Sequence, residues 1–242
     1  MNGGAKSLTD TQRRKRPRRE KKEQDNSQVA LSTVSWKRWT LCQVHDSPHI
    51  YVIDDFLSEI ELQHLNDSII AKSRFVRSFV DREDNLSSEV SQEQRTSTFV
   101  SLPKQGNSKI AAIERRAADM LGIAADQIEP LQLVRYRQDQ FFGVHHDLGS
   151  LLDDGTVELP PKQAFCKRRL ATFFCYLNDV ETGCTYFPEC SDLRVTPTRG
   201  RAVLFCNILR EGLPDPKTVH AGEPVRGNGN VKYGLNIWAC EN

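Results

Sequence analysis

The sequence of 242 residues has no long hydrophobic run, since no stretch approaches the roughly 20 apolar residues of a transmembrane helix. No apolar segment follows the first methionine, so we expect neither a secretory signal nor a membrane partner. The seven cysteines form no CxxC pair and are odd in number, which favours free thiols in a reducing compartment. The formal net charge of +1 argues against a chain built throughout to bind polyanions.

The charge is unevenly distributed, because residues 13–22 read RRKRPRREKK while acidic residues are spread over the rest. Residues 1–34 are polar and poor in large apolar side chains, which predicts a disordered tail. The basic segment 13–22 is typical of a nuclear-import signal or of a patch that contacts nucleic acid or an acidic partner. The third interpretation is a solvated tail that carries no targeting signal. We therefore expect a cytoplasmic or nuclear protein, with its folded domain over residues 35–242.

Two helices are predicted near the start of this domain. Ser58 and Glu61 form the pattern of a capping box, followed by apolar residues at helical spacing from Leu62 to Ile70. The second helix is predicted over Ser108–Leu121 and ends at Gly122. Polar segments 81–94 and 148–166 are predicted loops, and the latter is either a substrate lid or an idle surface loop.

Short β-rich runs dominate from Ile128 onward, separated by Gly, Pro, Asn and Asp. These later strands are predicted at Leu131–Arg137, Phe141–His146, Leu170–Leu177, Thr185–Phe187, Ala202–Phe205, Thr218–Val219 and Leu235–Trp238. Earlier strands are predicted over 36–44, 50–53, 75–80 and 95–102. Helices followed by many short strands indicate an α+β fold, with an antiparallel barrel or two-sheet jelly roll as the core over 128–240.

A candidate metal site lies in the segment Phe142–Asp147, which contains two histidines and an aspartate. Side chains alternate along a strand, so His145 and Asp147 point the same way while His146 points to the opposite face. By itself a His-x-Asp pair is a weak signal, and a surface or satisfied core pair is the alternative. His220 lies far downstream, where a barrel could return the chain to the pair, and the three together suit Fe(II) with open positions.

Other ligand choices stay open at this point. Zinc accepts the same three side chains, so they do not by themselves identify the metal. His45, Asp46 and His49 could form a separate site, but they lie before the first secure strand and no further ligand of suitable spacing follows, so we interpret them as structural or solvated. His64 is interpreted as a helix-surface residue. An oxygenase that uses 2-oxoglutarate also needs a cation for the distal carboxylate, and Lys232 is the candidate, with an exposed lysine as the alternative.

An ordered series of motifs follows the first strand of the predicted core. The series consists of Leu133-Val134-Arg135-Tyr136, Gln140-Phe141-Phe142, His145-x-Asp147, Arg169-Leu170-Ala171-Thr172, Tyr176-Leu177-Asn178-Asp179-Val180, Gly183-Cys184-Thr185-Tyr186-Phe187-Pro188, Pro197-x-x-Gly200-Arg201-Ala202-Val203-Leu204-Phe205, His220-Ala221-Gly222-Glu223-Pro224-Val225, Lys232-Tyr233 and Trp238. In this order the motifs resemble the prolyl 4-hydroxylase branch of the 2-oxoglutarate/Fe(II) dioxygenases. Asp54–Ser58 extends the resemblance more weakly to the start of the domain.

The resemblance implies a double-stranded β-helix, or jelly-roll, core with flanking N-terminal helices. It implies that His145, Asp147 and His220 bind Fe(II), that Lys232 holds the C5 carboxylate of the co-substrate 2-oxoglutarate, and that L-ascorbate is the reductant. This chain departs from the family pattern at Gly183-Cys184, where the family has paired glycines. It also has a slightly longer spacing from His220 to Lys232, and Tyr233 where the family has Trp.

Four further residues are assigned by the resemblance. Tyr136 and Thr172 match positions that add hydrogen bonds around the C5 carboxylate, and their alternative is a buried, satisfied strand hydroxyl. Arg169 and Trp238 match positions that face the peptide substrate. A surface ion pair and a core aromatic are the alternatives for these two.

The resemblance implies that the chain hydroxylates a protein or peptide, most readily at proline, using O2 and releasing succinate and CO2. One alternative is an oxygenase with the same core acting on lysine or nucleic acid. The other, from a different class, is a binding module without turnover. The strand alternation also predicts that activity is lost on replacing His145 and largely kept on replacing His146.

Overall fold

The computed structural model of the chain describes residues 39–78, 94–159 and 168–242. The predicted tail 1–34 with its basic segment 13–22, the loop residues 81–93 and the loop residues 160–166 lie outside these ranges, and the predictions about them stay predictions. Within the described ranges, no helix has the length and apolar character needed to cross a membrane.

The first helix, α1 (Glu59–His64), begins where the sequence predicts it. The Ser58 side chain accepts the backbone N–H of Glu61, and the Glu61 carboxylate accepts the N–H of Ser58 at 2.8 Å, so the predicted capping box is confirmed. The helix continues directly into a π-helical segment, Leu65–Ile70, rather than into further α-helix.

The second helix, α2 (Ser108–Leu121), has the predicted bounds. The Asn107 side chain accepts the backbone N–H groups of Lys109 and Ile110, which would otherwise have no partner in the first turn. Gly122 ends the helix with φ of 67°, in the left-handed region that glycine adopts without steric cost.

Antiparallel strands make up the rest of the domain, and they form two sheets and a hairpin within the described residues. The strands are β1 (Thr40–His45), β2 (Ile50–Asp54), β3 (Val76–Arg77), β4 (Thr98–Ser101), β5 (Gln132–Arg137), β6 (Phe142–His145), β7 (Ser150–Leu151), β8 (Val157–Glu158), β9 (Arg169–Tyr176), β10 (Thr185–Phe187), β11 (Leu193–Val195), β12 (Ala202–Cys206), β13 (His220–Gly222) and β14 (Val231–Cys240). The larger sheet has the order β1-β2-β12-β9-β14-β5-β4-β3 and the smaller one has the order β11-β10-β13-β6.

The two sheets pack face to face, as expected for a double-stranded β-helix. Tyr176 and Phe205 of the larger sheet and Phe187 and Val195 of the smaller one belong to the same buried cluster. The rings of Phe187 and Phe205 meet edge to face with centroids 5.1 Å apart. The predicted α+β fold with a jelly-roll core is therefore confirmed.

Side-chain alternation along β9 and β14 divides the larger sheet into a helix face and a site face. Phe173 and Cys175 on β9, with Leu235 and Ile237 on β14, join the helices α1 and α2 in one buried core. The residues between them point the other way, towards the smaller sheet. The candidates Thr172 on β9 and Lys232 and Trp238 on β14 lie among these alternate positions.

Some strand predictions differ from the structure. Thr218–Val219 is not a strand, because Pro216–Thr218 forms a 3-10 turn capped by the side chain of Asp215, and β13 begins at His220. The strand predicted over 95–102 is shorter, and Arg95 makes an isolated bridge to Phe142. The strand β11 was not predicted. The hairpin of β7 and β8 replaces part of the predicted 148–166 loop.

Glu61 gives a test of how the helical layer is attached to the sheets. Its carboxylate is buried and pairs with Arg116 Nη2 at 2.6 Å, so Glu61→Ala removes the capping box and leaves a partly buried guanidinium without its anion. We expect a loss of about 3 kcal/mol in the free energy of unfolding, measured by urea denaturation. The matched control is Glu59→Ala, which breaks the exposed pair with Arg199 and should cost less than about 1 kcal/mol. Equal losses in the two variants would contradict the prediction.

Candidate active site

Three ligand-type side chains meet between β6 and β13 of the smaller sheet. His145 ends β6, Asp147 follows it two residues later, and His220 begins β13 opposite His145 in the strand pairing. The His145 Nε2 atom lies 3.7 Å from Asp147 Oδ1, and the His220 Nε2 atom lies 3.8 Å from Asp147 Oδ2. One ligand atom from each residue falls within 4.8 Å of the other two, so this His-Asp-His cluster could hold one metal ion.

Backbone carbonyls orient both imidazoles of the cluster. The Nδ1 atom of His145 lies 2.9 Å from the carbonyl oxygen of Gly143, and the Nδ1 atom of His220 lies 3.0 Å from that of Thr218. A carbonyl only accepts, so each Nδ1 carries the hydrogen and each Nε2 presents a free lone pair. Burial, with His220 next to it, holds the pKa of His145 well below its usual range, which keeps this imidazole neutral as a ligand must be.

Asp147 is held as a buried anion. Its Oδ2 atom accepts from Thr172 Oγ1 at 2.7 Å and from Trp238 Nε1 at 3.2 Å. Burial alone would raise the pKa of this carboxyl, but the neighbouring His220 and His145 outweigh it, and the net pKa lies below the usual range. The Oδ1 atom, 3.7 Å from His145 Nε2, is the carboxylate oxygen that these two donors leave available.

The second feature of the site is a fully buried lysine. Lys232 on β14 donates from Nζ to the carbonyl of Gly183, and its ammonium lies 4.9 Å from the ring centroid of Tyr136 and 5.2 Å from that of Phe174. Gly183 has φ of 73°, and a Cβ there would come within 3.3 Å of the Lys232 stem, so this close approach requires glycine. We call this surrounding the lysine pocket.

The contacts that the structure shows for Thr172 lie at the His-Asp-His cluster, and its assignment to the C5 carboxylate stays a prediction. Thr172 pairs with Trp238 across β9 and β14, six positions from Lys232 along the same strand. This register places Thr172 at the Asp147 end of β9 and β14, away from the Cα of Lys232. Thr172 donates to the metal-binding candidate Asp147, and Asn207 Nδ2 in turn donates to Thr172 Oγ1 at 3.1 Å.

The hydroxyl groups near the lysine pocket come from other residues. Tyr176 also has its ring next to the Lys232 ammonium, at 5.8 Å, and its hydroxyl donates to Thr185 Oγ1 at 2.7 Å. Tyr136, which the resemblance predicts here, does lie in this pocket. Tyr176 and Thr185 were quoted in the motifs but not assigned to the site, although Tyr176 lies on the same face of β9 as Phe174, and Thr185 alternates with Tyr186 on β10.

Arg169 and Trp238 form a platform next to the cluster. The Arg169 guanidinium lies 3.6 Å over the indole ring of Trp238 and makes two hydrogen bonds of 2.9 Å to the Glu129 carboxylate. The Cys240 thiol approaches the same carboxylate at 3.1 Å. Glu129 was missed by the sequence interpretation, because its position before β5 contains no motif that points to the site.

Arg95 is a second buried cation that the sequence interpretation missed. Its guanidinium lies 4.4 Å over the ring of Phe142, and that ring stacks on His145 with centroids 3.5 Å apart. The contact depends on the isolated bridge between Arg95 and Phe142, which no local pattern predicts. The alternative histidine set lies elsewhere: His49 and Asp46 both contact the Gln43 amide, at 3.0 and 2.9 Å.

The comparisons with known proteins agree with this geometry. Residues 131–240 match the model of the 2OG-Fe(II) oxygenase superfamily. The crystal structure of a viral collagen prolyl hydroxylase from Paramecium Bursaria Chlorella virus-1, in complex with 2OG, is similar with a TM-score of 0.58 and 25% identity. The similarity covers 81% of this chain and 97% of that chain. Fold and family match together place the chain in the class of the 2OG-Fe(II) oxygenase superfamily.

Curated relatives narrow the class further. Probable prolyl 4-hydroxylase 3 of Arabidopsis thaliana is 34% identical over 213 residues, which cover 79% of this chain and 69% of the relative. Prolyl 4-hydroxylase 1 of the same plant is 34% identical over 210 residues, covering 80% and 66%. The chain belongs to the prolyl 4-hydroxylase-like branch of the superfamily. It spans slightly less than two thirds of the length of prolyl 4-hydroxylases 1 and 2, at 66% and 64%.

Fe(II) and 2-oxoglutarate fit the residues that the structure brings together. Two neutral imidazoles and one carboxylate are the donor set of a non-haem iron site, and their outer atoms are already oriented by hydrogen bonds. The buried ammonium in an aromatic pocket suits one anionic carboxylate. The family and the geometry therefore agree on the metal and on the co-substrate.

Lys232 predicts a pH dependence of co-substrate binding. Burial lowers the pKa of Lys232 from its ordinary 10.5 to about 7. Between these pH values the unfolded chain binds more protons at this group than the folded chain, so the free energy of unfolding rises with pH. This gain in stability is lost as pH falls through 7. A bound carboxylate favours the charged lysine. We therefore expect 2-oxoglutarate binding at about pH 8.5 to take up close to one proton, and its affinity to fall as pH rises further.

The proton uptake is measured by calorimetry in two buffers with different ionisation enthalpies. The control variant is Lys104→Met, which should keep the same proton uptake. The Lys104 ammonium donates to the carbonyl of Asp126, away from the lysine pocket. Binding heats that do not depend on the buffer would contradict the lowered pKa.

Proposed function

We propose that this protein hydroxylates a protein or peptide substrate at proline, using O2 and 2-oxoglutarate and releasing succinate and CO2. The observation that carries the proposal is the His-Asp-His cluster beside the platform and the lysine pocket, in a chain that belongs to the prolyl 4-hydroxylase-like branch. The relatives are named as prolyl hydroxylases. In our proposal the cluster binds the metal, the lysine pocket binds the diacid and the platform contacts the peptide.

Each residue of the site has a defined part in this proposal. His145 and His220 contribute Nε2 and Asp147 contributes Oδ1 to the metal, while Thr172 and Trp238 fix the remaining carboxylate oxygen. Bound Fe(II) would supply the activation of O2 that the oxidation of a C–H bond requires. The protein keeps the three ligands on one side, so that the other positions stay open to 2-oxoglutarate and O2.

The lysine pocket holds the far end of the co-substrate. Lys232 gives up its bond to the Gly183 carbonyl, or shares it, when a carboxylate enters beside the ring of Tyr136. Tyr176 and Thr185 add hydroxyls next to it. Because this pocket is buried, the charge pair that forms there is little screened by solvent.

The platform is our proposed contact with the substrate. Arg169 is charged at all relevant pH values and is partly exposed, with Glu129 fixing its orientation through two hydrogen bonds. Proline is an apolar ring with a carbonyl acceptor on each side. Arg169 covers the buried indole of Trp238, and its guanidinium offers donors that are not bonded to Glu129 to the peptide carbonyls.

We further propose L-ascorbate as the reductant and the cytoplasm or nucleus as the compartment. The reductant rests on the family resemblance alone, and repeated turnover should decline in its absence. The compartment rests on the basic segment 13–22. A fluorescent fusion that loses nuclear signal when residues 13–22 are replaced by Ser and Gly would support the import interpretation.

Mass spectrometry separates the substrate classes. Proline-rich peptides, lysine-rich peptides and oligonucleotides are incubated with the protein, Fe(II), 2-oxoglutarate and ascorbate, and each product is tested for one added oxygen atom. We expect it on proline, with succinate formed in equal amount, and neither product with His145→Ala. The control is His64→Ala, which should keep activity. The Nε2 atom of His64 contacts the Asn107 amide and not the His-Asp-His cluster.

The outcomes decide between the alternatives. Oxygen added to lysine or to a nucleotide would replace the proline assignment and keep the oxygenase. Binding of 2-oxoglutarate and peptide without succinate or product in any pool would favour a binding module without turnover. Succinate formed equally by wild type and His145→Ala would contradict the ligand set.

A further inference from the structure

His146 lies between two proposed metal ligands and points away from both. Its side chain is 5% exposed and is held on three sides. The backbone N–H of Leu148 donates to Nδ1 at 3.1 Å, and Nε2 lies 3.1 Å from the carbonyl oxygen of Asp215 and 3.0 Å from Thr218 Oγ1. The strand alternation that predicted its opposite orientation thus brings it into contact with the turn before β13.

These contacts determine where the hydrogen of His146 lies. A backbone N–H only donates, so the Nδ1 atom facing Leu148 is the acceptor and Nε2 carries the hydrogen. The Nε2–H group then donates to the Asp215 carbonyl, which also accepts from Thr218 Oγ1 at 2.8 Å. The neutral imidazole satisfies both of its nitrogens in this arrangement.

The turn that His146 contacts is the one that orients His220. The Thr218 carbonyl accepts from His220 Nδ1 at 3.0 Å, while the Thr218 hydroxyl meets the His146 ring. The direct pairing of β6 with β13 is irregular, with a register shift between His220 and Gly222. Strand pairing alone therefore leaves the offset between the two ligand-bearing segments less defined than in a regular ladder, and the His146 side chain connects them from the other side.

We propose that His146 is a positioning residue for the metal site: it joins the segment that holds His145 and Asp147 to the turn that orients His220. The inference rests on the proposed ligand set. It revises the prediction that His146 can be replaced with little effect. A side chain that cannot accept from Leu148 and donate to Asp215 at the same time lets the two segments shift, and the three ligand atoms then no longer match one ion.

The test compares two replacements of similar size. Gln in His146→Gln can accept through its amide oxygen and donate through its amide nitrogen, whereas Phe in His146→Phe can do neither. The probe is Co(II) alone, titrated against a fluorescent chelator, with the ligand-field spectrum of the Co(II) protein recorded in parallel. We expect His146→Phe to bind Co(II) about 10- to 100-fold more weakly with an altered spectrum, and His146→Gln to recover most of the affinity.

Two controls separate positioning from general loss of stability. Ile113→Ala removes a fully buried side chain from α2 in the core on the other face of the larger sheet, and should lower stability without changing Co(II) affinity. If His146→Phe does not fold, Thr218→Val removes the hydroxyl that meets His146 while keeping the carbonyl that orients His220, and should weaken Co(II) binding by a smaller factor.

The outcomes also distinguish this inference from the proposed function. Wild-type Co(II) affinity and spectrum in His146→Phe, with binding lost in His145→Ala, would overturn the role of His146 and leave the ligand set intact. Unchanged Co(II) binding in His145→Ala would overturn both. An affinity in His146→Gln as low as in His146→Phe would also overturn the inference, because the two bonds and not the ring are its basis.

Discussion

Replacing Lys232 with methionine is expected to weaken 2-oxoglutarate binding by about 100-fold while leaving the protein at least as stable as wild type. The affinity falls because a charge-assisted bond to a buried carboxylate contributes about 2 to 3 kcal/mol, and methionine fills the same space without a charge. Stability does not fall, because the folded chain no longer holds a buried amine that burial has moved to a pKa of about 7.

Two measurements check the Lys232→Met prediction. Calorimetry of 2-oxoglutarate binding to the Co(II)-loaded variant gives the affinity, and urea denaturation without co-substrate gives the stability. Co(II) affinity itself should not change, since the His-Asp-His cluster lies on other strands and makes no bond to Lys232. A variant that binds 2-oxoglutarate as tightly as wild type would remove Lys232 from the co-substrate site.

The sequence predicted best what depends on periodicity. The alternation of β9 and β14 separates Phe173 and Ile237, in the helix core, from Thr172 and Trp238, at the site, and it separates His145 from His146. The helix α2 has its predicted bounds because its capping residues Asn107 and Gly122 are local signals. Such signals need no knowledge of the rest of the fold.

What the sequence did not predict depends on positions along a strand and on contacts between distant segments, which periodicity does not determine. Thr172 lies on the predicted face of the sheet, but alternation gives a face and not a position along the strand, so it did not predict the bond to Asp147. Thr218–Val219 was predicted as a strand because its β-branched residues outweighed the turn signal of Asp215 and Pro216. Glu129 and Arg95 reach the site from separate segments, and only the tertiary fold brings them there.

The geometry around Asp147 explains why even a conservative change there should fail. One oxygen of its carboxylate, Oδ2, accepts from two donors, Thr172 and Trp238, and the other, Oδ1, lies 3.7 Å from His145 Nε2. In Asp147→Asn, the two donors select the amide oxygen as their acceptor, since the amide nitrogen could only oppose them. The nitrogen of the amide is then turned to the metal position, where it carries hydrogens instead of a lone pair.

Asp147→Asn is therefore expected to lose metal binding as completely as Asp147→Ala, by at least about a hundredfold, because a buried anion next to two imidazoles is lost in both. Co(II) titration of the two variants measures this, with circular dichroism to check folding. The double variant Asp147→Asn with Thr172→Val removes the shorter of the two bonds that select the amide orientation. It frees the amide to turn its oxygen to the metal, so it should bind Co(II) more tightly than Asp147→Asn alone. If Asp147→Asn instead binds Co(II) as tightly as wild type does, neither the carboxylate charge nor its two hydrogen bonds determine metal binding. Asp147 is then not the anionic member of the site.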